Sequence, residues 1–487
     1  MKKGRILLCL MLSVIMLLTA CNGGDDQTQV TTANNTENVT TTAETEDIKP
    51  ELEEKDFGGR TFIIMTERWS TYEPLDCNDI VSDGYNGEVL NDATYQRNLN
   101  MSSKYNCEVE WLQQKSSQAD NALSTSITAG DKICDVYLIR GTRLASSITK
   151  GYLTEFDNIS SIDTDKPWWD QNSLEALTVH DKAYATIGYT STNYLKSVFT
   201  VCFNKTLIKD NALENPYDLV DSGKWTFDKV AEMGESIAVD LNGDGVRGTE
   251  DMWGINYTRD TLSGIFQSCG VTYGTVNQDG EAVLTIDDET NVERMTNIVP
   301  KLFDSSYSAD TLSGTYIKAT AFDGEFFANS KVLFLFTATH PIEYLRAMTI
   351  DFGMLPYPKY SEDENYKPSV ACIFISLTSV PVTSADELDD VGYFLEAYAY
   401  EGYTLLKPAF YEKILLGKVA NDEDSMEMLQ YIYENLNYDT ATLYNFSSMT
   451  GTVNDLSKTL NVNVSSYLRT YIAIWQSSVD NFNRCVE

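Results

Sequence analysis

Arg60-Thr61-Phe62-Ile63-Ile64-Met65-Thr66 is a short apolar run rich in strand formers, and Asp135-Val136-Tyr137-Leu138-Ile139-Arg140 is a second of the same kind. What lies between them decides the fold class. The pattern predicts a helix over 88–105, a strand over 107–112 and a helix over 118–128 that Gly130 stops. Strands alternating with helices at this interval indicate an α/β unit with a mostly parallel sheet. Further strands are expected over 197–204, 331–338, 351–356 and 370–378. Thr226 reads as the N-cap of a helix carrying Phe227, Val230, Gly234 and Ile237 on one face. Residues 386–402, 424–435 and 464–484 also read as helices, and no internal repeat is present.

Working outward, residues 22–55 are acidic and rich in Thr and Asn, with no aromatic residue before Phe57. Such a stretch buries too little to offset its chain entropy, so it reads as a flexible linker. The body beyond it, about 430 residues long, exceeds what one core usually supports, so two lobes are expected. Ahead of the linker, Lys2, Lys3 and Arg5 precede an apolar run from Ile6 to Leu18, which reads as a secretion signal. The run Leu18-Thr19-Ala20-Cys21 resembles the lipobox of bacterial lipoproteins. That resemblance implies removal of residues 1–20, a lipid on Cys21 and attachment at the outer face of a cell membrane. An uncleaved transmembrane anchor is the competing reading, but a span needs about 20 apolar residues and this run is shorter.

The formal charge of −36, from 72 acidic and 36 basic residues, weighs against nucleic acid and anionic lipid surfaces as partners. After Cys9 and Cys21, seven cysteines remain, an odd number with no C-x-x-C spacing. A disulfide framework or zinc site is therefore not expected, and residues such as Cys202 read as core thiols.

The order of short motifs carries more than any one of them. Tyr95, Arg97 and Asn98 precede Lys104-Tyr105-Asn106; Gly130-Asp131 leads into Asp135-Val136-Tyr137. Lys166-Pro167-Trp168-Trp169-Asp170, Phe203-Asn204-Lys205-Thr206-Leu207, Lys224-Trp225-Thr226-Phe227-Asp228 and Phe352-Gly353-Met354-Leu355-Pro356-Tyr357-Pro358 follow in turn. Over about residues 57–487 this succession resembles the extracellular solute-binding proteins of bacterial ABC importers, in the carbohydrate-type family 1 group. Ala328-Asn329-Ser330-Lys331 departs from the family by lacking the glycine often found before the lysine. The resemblance implies an α/β, two-lobed periplasmic-binding-protein-like (type 2) fold with hinge strands and a central ligand cleft. It places one lobe at 56–190 plus 366–420 and the other at 191–365 plus 421–487. The chain would cross between them near 190–197, 357–367 and 419–424. It also implies a monomer without enzymatic activity or catalytic cofactor, whose partners are a small-molecule solute and permease subunits.

One motif stands apart from that succession. In residues 240–251, Asp240, Asn242 and Asp244 hold positions one, three and five, Gly245 six, Val246 seven and Asp251 twelve. This is the spacing of an EF-hand-type calcium loop, in which Val246 would offer its carbonyl and the ion would be structural. Asp251 in place of Glu, and Arg247 at the usual apolar position, depart from the strict pattern; an Asx-rich turn without metal is the alternative. The G-x-G-x-x-G match at 243–248 follows a helix and precedes two acids, which argues against a dinucleotide site.

No H-E-x-x-H, G-x-S-x-G or P-loop motif occurs, and only His180 and His340 are present. A carboxylate pair for glycan cleavage remains the enzymatic alternative, though nothing in the sequence selects one. For a carbohydrate binder, aromatic faces and planar polar groups at the carboxyl ends of strands are the candidates. These are Arg68 and Trp69 after the first strand, and Arg140, Thr142 and Arg143 after the strand at 135–139. Tyr189 and Tyr194 border the first crossing, Trp253 and Tyr257 follow the acidic loop, and His340 ends a strand.

Overall fold

The computed structural model describes residues 48–68, 76–310, 327–340, 350–415, 422–460 and 462–487. Cys21, the signal and linker segments up to residue 47, and Trp69 lie outside the described residues. From Lys49 to Glu487 the chain forms one unit. Its strands are, in chain order, β1 (Arg60–Arg68), β2 (Cys107–Lys115), β3 (Val136–Arg140), β4 (Phe199–Asn204), β5 (Trp253–Tyr257) and β6 (Gly274–Val276). These are followed by β7 (Ala282–Leu284), β8 (Ser308–Asp310), β9 (Val332–Ala338), β10 (Phe352–Leu355) and β11 (Ser376–Ser379). The helices used below are α1 (Val89–Tyr105), α2 (Ala119–Ala129), α3 (Gly141–Thr149), α4 (Gln171–Leu177) and α5 (Phe227–Ile237). Later come α6 (Glu289–Leu302), α7 (Leu388–Leu415), α8 (Glu423–Glu434), α9 (Thr440–Tyr444) and α10 (Val464–Val486).

Two main sheets share one plan. The first has the order β2-β1-β3-β11 and the second β8-β5-β9-β4-β10. In each, parallel pairing joins the first three strands, with β1 beside β2 and β3, and β5 beside β8 and β9. Each then takes an antiparallel strand that arrives from the opposite sheet's stretch of chain: β11 on β3, and β4 on β9. The exchanged strands are therefore the connections between two lobes. β3, β4, β5 and β9 are buried along their whole length, as strands covered on both faces must be.

Local chemistry explains several boundaries. The Thr226 side chain accepts from the Lys229 backbone amide at 3.2 Å, capping α5 where a cap was expected, and α5 buries Phe227, Val230, Gly234 and Ile237. Glu88 caps α1 through the Asn91 amide, and Asn106 ends it in the left-handed region at φ 50. α7 runs well beyond the helix expected over 386–402, with Pro408 in its interior. Burial of Leu406, Ala409 and Phe410 continues its packed face past Gly402, and this outweighs the helix-breaking residues. Phe62 of β1 stacks on Phe394 of α7 at 4.2 Å, which fixes α7 against the first sheet.

Other expectations shift. The strand expected over 370–378 splits: Val370 makes an isolated bridge to Val198, and only β11 pairs continuously. The Lys359 carbonyl accepts from the Phe227 amide, and Glu364 binds Arg294 of α6 through both carboxylate oxygens at 2.8 and 2.9 Å. Residues 359–364 are thus anchored in the second lobe, and the second crossing falls after them, where Ser369 and Ala371 pair with Phe199 and Ser197. Of the third crossing, expected over 419–424, residues 419–421 lie outside the described residues. The C-terminal helices touch both lobes: α9 and α10 each pack on α3 of the first lobe, α9 also on the β6–β7 hairpin and α10 on α6 of the second. Of the seven cysteines in the body, Cys77, Cys107, Cys134, Cys202, Cys269 and Cys372 are buried thiols, and Cys485 is exposed.

Candidate functional site

At the carboxyl end of the first sheet, Glu67 of β1 is buried and collects donors from three directions. The Tyr137 hydroxyl donates at 2.8 Å, Arg143 Nε at 2.9 Å and Ser116 Oγ at 2.9 Å. Arg143 also reaches Asp120 of α2 at 2.7 Å. Arg140, the last residue of β3, is 1% exposed and donates to the Phe374 carbonyl at 3.1 Å, with Asp76 at 3.6 Å. Burial lowers its pKa, while the nearby acids Glu67 and Asp76 act in the opposite direction. Arg68 is half exposed, 4.0 Å from Asp76, and Thr142 is exposed at the start of α3. Gly141 between them has no room for a side chain: a Cβ there would sit 2.6 Å from the Cys372 carbonyl oxygen and 2.9 Å from that of Leu443.

Beside this cluster, Asp79 binds the first connection between the lobes. Its carboxylate accepts from Ser191 Oγ at 2.7 Å, the Thr192 amide at 2.5 Å and Thr192 Oγ1 at 2.8 Å. Tyr189 and Tyr194 lie on this connection and are buried, edge to face at 6.1 Å, with Tyr403 of α7 a further 5.5 Å from Tyr189. His340 lies two residues beyond the end of β9 and bonds to the Lys196 backbone. Burial pushes its imidazole pKa down to about 3, so it is neutral at physiological pH.

The second sheet presents a different face. Trp253 and Tyr257 are not loop residues, as the sequence suggested, but the two ends of β5, with exposures of 0% and 1%. The Trp253 indole donates to the Gly248 carbonyl at 2.9 Å under the Arg247 guanidinium, and Tyr257 stacks on Phe303 at 6.3 Å. Their rings fill the core because β5 is covered on both sides. The polar groups at these strand ends are Arg259, Asp260 and Asp310. Arg259 pairs with Asp260 at 3.0 Å, with Asp455, and with the Gly451 carbonyl at 3.0 Å. Burial raises the pKa of Asp260, with Asp310 adding to the shift.

The acidic loop folds onto its own backbone. Asp240 accepts from the Gly243 and Gly245 amides at 2.7 and 2.8 Å, and Asp244 from the Val246 amide at 2.7 Å. Asn242 accepts from the Asp244 amide at 2.9 Å, and Asp251 from the Leu241 and Gly248 amides at 2.9 and 2.7 Å. The Gly248 amide is the leading cause of Asp251's lowered pKa. Among the described residues no three His, Cys, Asp or Glu side chains converge as a metal site. A cavity of about 740 Å³ lies elsewhere, between residues 49–56 and Tyr105, Tyr393 and Tyr400 on the flank of the first lobe. It is remote from the strand ends where open α/β sheets present ligands.

No protein-family profile matches the sequence, and no curated protein matches it. Solved structures do match in three dimensions. The lacto-N-biose complex of the galacto-N-biose-/lacto-N-biose I-binding protein of the ABC transporter from Bifidobacterium longum is 12% identical, with a TM-score of 0.57, covering 88% of this chain and 98% of that one. The maltose complex of the maltose-binding periplasmic protein MalE from Listeria monocytogenes is 13% identical, with a TM-score of 0.56, covering 86% and 98%. An ABC substrate-binding protein from the same organism in complex with cycloalternan is 13% identical, with a TM-score of 0.54, covering 88% and 99%. The chain has the fold of the ABC-importer solute-binding proteins. In such a fold the carboxyl ends of both sheets face a shared cleft.

Of the residues expected there, Arg68, Arg140, Thr142 and Arg143 gather at the end of the first sheet. Tyr189, Tyr194 and His340 gather at the connection between lobes, and Trp253 and Tyr257 stay in the second core. The sequence reading passed over Glu67, Asp76, Asp79, Arg259, Asp260 and Asp310. For Glu67 and Asp310 a signal existed, since each stands at the carboxyl end of a strand. For the others only the folded chain supplies one.

Proposed function

We propose that this protein is a lipid-anchored extracellular solute-binding protein that captures a solute, of the oligosaccharide class, and delivers it to an ABC importer by hinge closure. The observation that carries the reading is the pair of sheets with one strand plan, joined by exchanged antiparallel strands. Two lobes on such connections bind by favouring a closed state in which the ligand touches both. The saccharide class draws support from the solutes named for the proteins of the same fold. Within the cleft, Arg68 and Thr142, exposed at the end of the first sheet, are the ligand-contacting candidates, with Trp69 beside Arg68 in the chain. Arg140 and Arg143, already engaged by acids, would orient them. Tyr189, Tyr194 and His340 would act through the hinge, and Trp253 and Tyr257 through the core. Cys21 would carry the lipid that keeps the protein at the outer face of the membrane, beside the permease.

Calcium in the loop of Asp240, Asn242, Asp244, Val246 and Asp251 belongs to this reading on donor spacing alone, as a structural ion pinning the loop. Calorimetry against cycloalternan, maltose and lacto-N-biose, followed by analysis of the recovered glycan, tests the central claim. Saturable binding with the glycan intact is expected. Cleaved glycan would instead establish a surface glycan-active enzyme. A Cys21→Ala form should be released from cells yet bind the same solute.

A further inference from the structure

The stretch that leads into β1 is laid across the first lobe and held there at several points. The Phe57 amide donates to the Tyr105 carbonyl at 2.9 Å, and the Phe57 ring sits edge-on to Phe62 and Tyr393 at 4.9 and 5.6 Å. The Tyr393 hydroxyl donates to the Glu53 carbonyl, Lys55 pairs with Asp390 at 2.5 Å, and Asp56 accepts from Asn106 Nδ2 at 2.8 Å. Between this stretch and the helices α1 and α7 lies the cavity of about 740 Å³. The helices line it with Tyr105, the last residue of α1, and with Tyr393 and Tyr400 of α7. Tyr105 and Tyr400 are half-buried, and neither hydroxyl has a hydrogen-bond partner among the described residues. Burial pushes the Tyr105 phenol up to about 12, so it remains a donor. The charged lining is balanced, with Lys49, Lys55 and Lys104 set against Glu53, Glu54 and Asp56. Lys104 is already paired with Glu401.

We propose that this cavity is a second ligand site, on the flank of the first lobe, and that it takes a short stretch of a neutral saccharide. Its volume lies within the range of small-molecule sites. Equal numbers of opposite charges give neither an anion nor a cation a net attraction, whereas a polyhydroxyl ligand finds donors and acceptors side by side. A tyrosine offers its ring to the C–H face of a sugar and its hydroxyl to the sugar's own. Tyr105 and Tyr400 have those hydroxyls free, and Glu53 and Glu54 supply acceptors across from them. The contacts of Phe57, Lys55 and Asp56 hold the covering stretch in place without a ligand, so little ordering is left for binding to impose. The site is separate from the cleft. It lies beside Arg60, where β1 begins, and β1 runs about 26 Å before it reaches the strand ends that face the cleft. A saccharide is therefore held at the flank whether or not the cleft is occupied.

The test is NMR of maltose and lacto-N-biose in the presence of the Cys21→Ala protein, with a nitroxide on Ser103→Cys in a Cys485→Ser background. Ser103 is exposed, stands two positions before Tyr105 and does not line the cavity. At least one disaccharide should show saturable broadening that disappears when the nitroxide is reduced. Tyr105→Phe combined with Tyr400→Phe keeps both rings and their packing and removes only the free hydroxyls. That double variant should weaken the binding seen at the flank by about tenfold. Glucuronate and glucosamine should be broadened less than the better disaccharide. No nitroxide-dependent broadening with either disaccharide overturns the site. Broadening that the double variant leaves unchanged overturns the assignment to the two tyrosines, and stronger broadening of glucuronate or glucosamine overturns the neutral class. Calorimetric binding that the double variant leaves intact reports the cleft, so failure of the flank site and failure of the solute-capture reading are told apart.

Discussion

Residues 76–80 and 240–251 are both short polar segments whose carboxylates accept hydrogen bonds from backbone amides, yet only the first reaches beyond itself. In the acidic loop, Asp240, Asn242, Asp244 and Asp251 accept from residues within ten positions of them, and most of the loop is exposed. In the buried segment, Asp79 meets Thr192, 113 positions away, and Cys77 meets Ser376, 299 away. The loop therefore shapes its own turn, while the segment shapes the relation of elements that the chain brings together only on folding. A polar side chain's consequence scales with its burial and with how far its partner lies along the chain.

Four measurements bear on that contrast. The largest effect is expected at the buried cluster beside the segment. Glu67→Leu would leave the Arg143 and Arg140 cations without their main acid, and breaking a buried pair from one side costs about 3–5 kcal/mol. Denaturant melts should show it, and a loss below about 1 kcal/mol would mean that solvent screens this network as it screens surface pairs.

Next comes the support of the first connection between the lobes. Gly402 of α7 lies against the Tyr189 carbonyl so closely that a Cβ would collide with it. Gly402→Ala is expected to cost about 3 kcal/mol, at the upper end of overpacking effects, because the obstacle is backbone and cannot rotate away. A neutral result would show that this connection can shift without penalty, and would weaken the case for a tightly held hinge.

A similar magnitude, confined to part of the pH scale, belongs to Glu396 of α7. It is 1% exposed, accepts from the Trp169 indole at 2.9 Å, and is pushed by burial from 4.5 to about 7. A carboxyl whose folded pKa lies above its unfolded one is most favourable below the unfolded value, and that stability is lost as pH rises toward the folded value. The rise from 4.5 to about 7 corresponds to about 3 kcal/mol, lost between about pH 4.5 and 7. Stability measured across that range should fall in the unmodified protein relative to Glu396→Gln. Parallel curves would mean that water reaches this carboxyl.

The smallest effect is expected in the acidic loop. Asp240→Asn should change stability by less than about 1 kcal/mol without calcium, since its contacts are local and solvated. Calcium should raise the melting temperature of the unmodified protein by about 2–4 °C and leave the variant unmoved. If calcium changes neither melting temperature nor heat signal, the loop is an Asx turn and no more.

Much of the architecture was legible because it is written in neighbouring residues. Apolar runs at 60–66 and 135–140, the cap at Thr226 and the stop at Gly130 each depend on a window of a few positions. The misses have the same explanation in reverse. Trp253 and Tyr257 looked like loop aromatics because the acidic loop precedes them, but β5 becomes a strand by pairing with Val332–Ala338. α7 outran its expected end because burial of Leu406 and Phe410, invisible in propensity, outweighed Gly402 and Pro408. At the candidate site, Arg140 and Arg143 could be named from their place after a strand. Their acids could not, since nothing near Glu67 or Asp76 in the chain marks them as their partners.

By itself, then, the sequence determined an α/β body with alternating elements and a local acidic turn, because those features follow from periodicity, capping and turn chemistry over short spans. It was tertiary structure that decided which carboxylates are buried, which arginines they hold and how residues 76–80 meet Ser191, Thr192 and Ser376. Those contacts exist only when residues such as Glu67 and Arg143, 76 positions apart, or Cys77 and Ser376, 299 apart, are brought together, and short-range pattern carries no record of that.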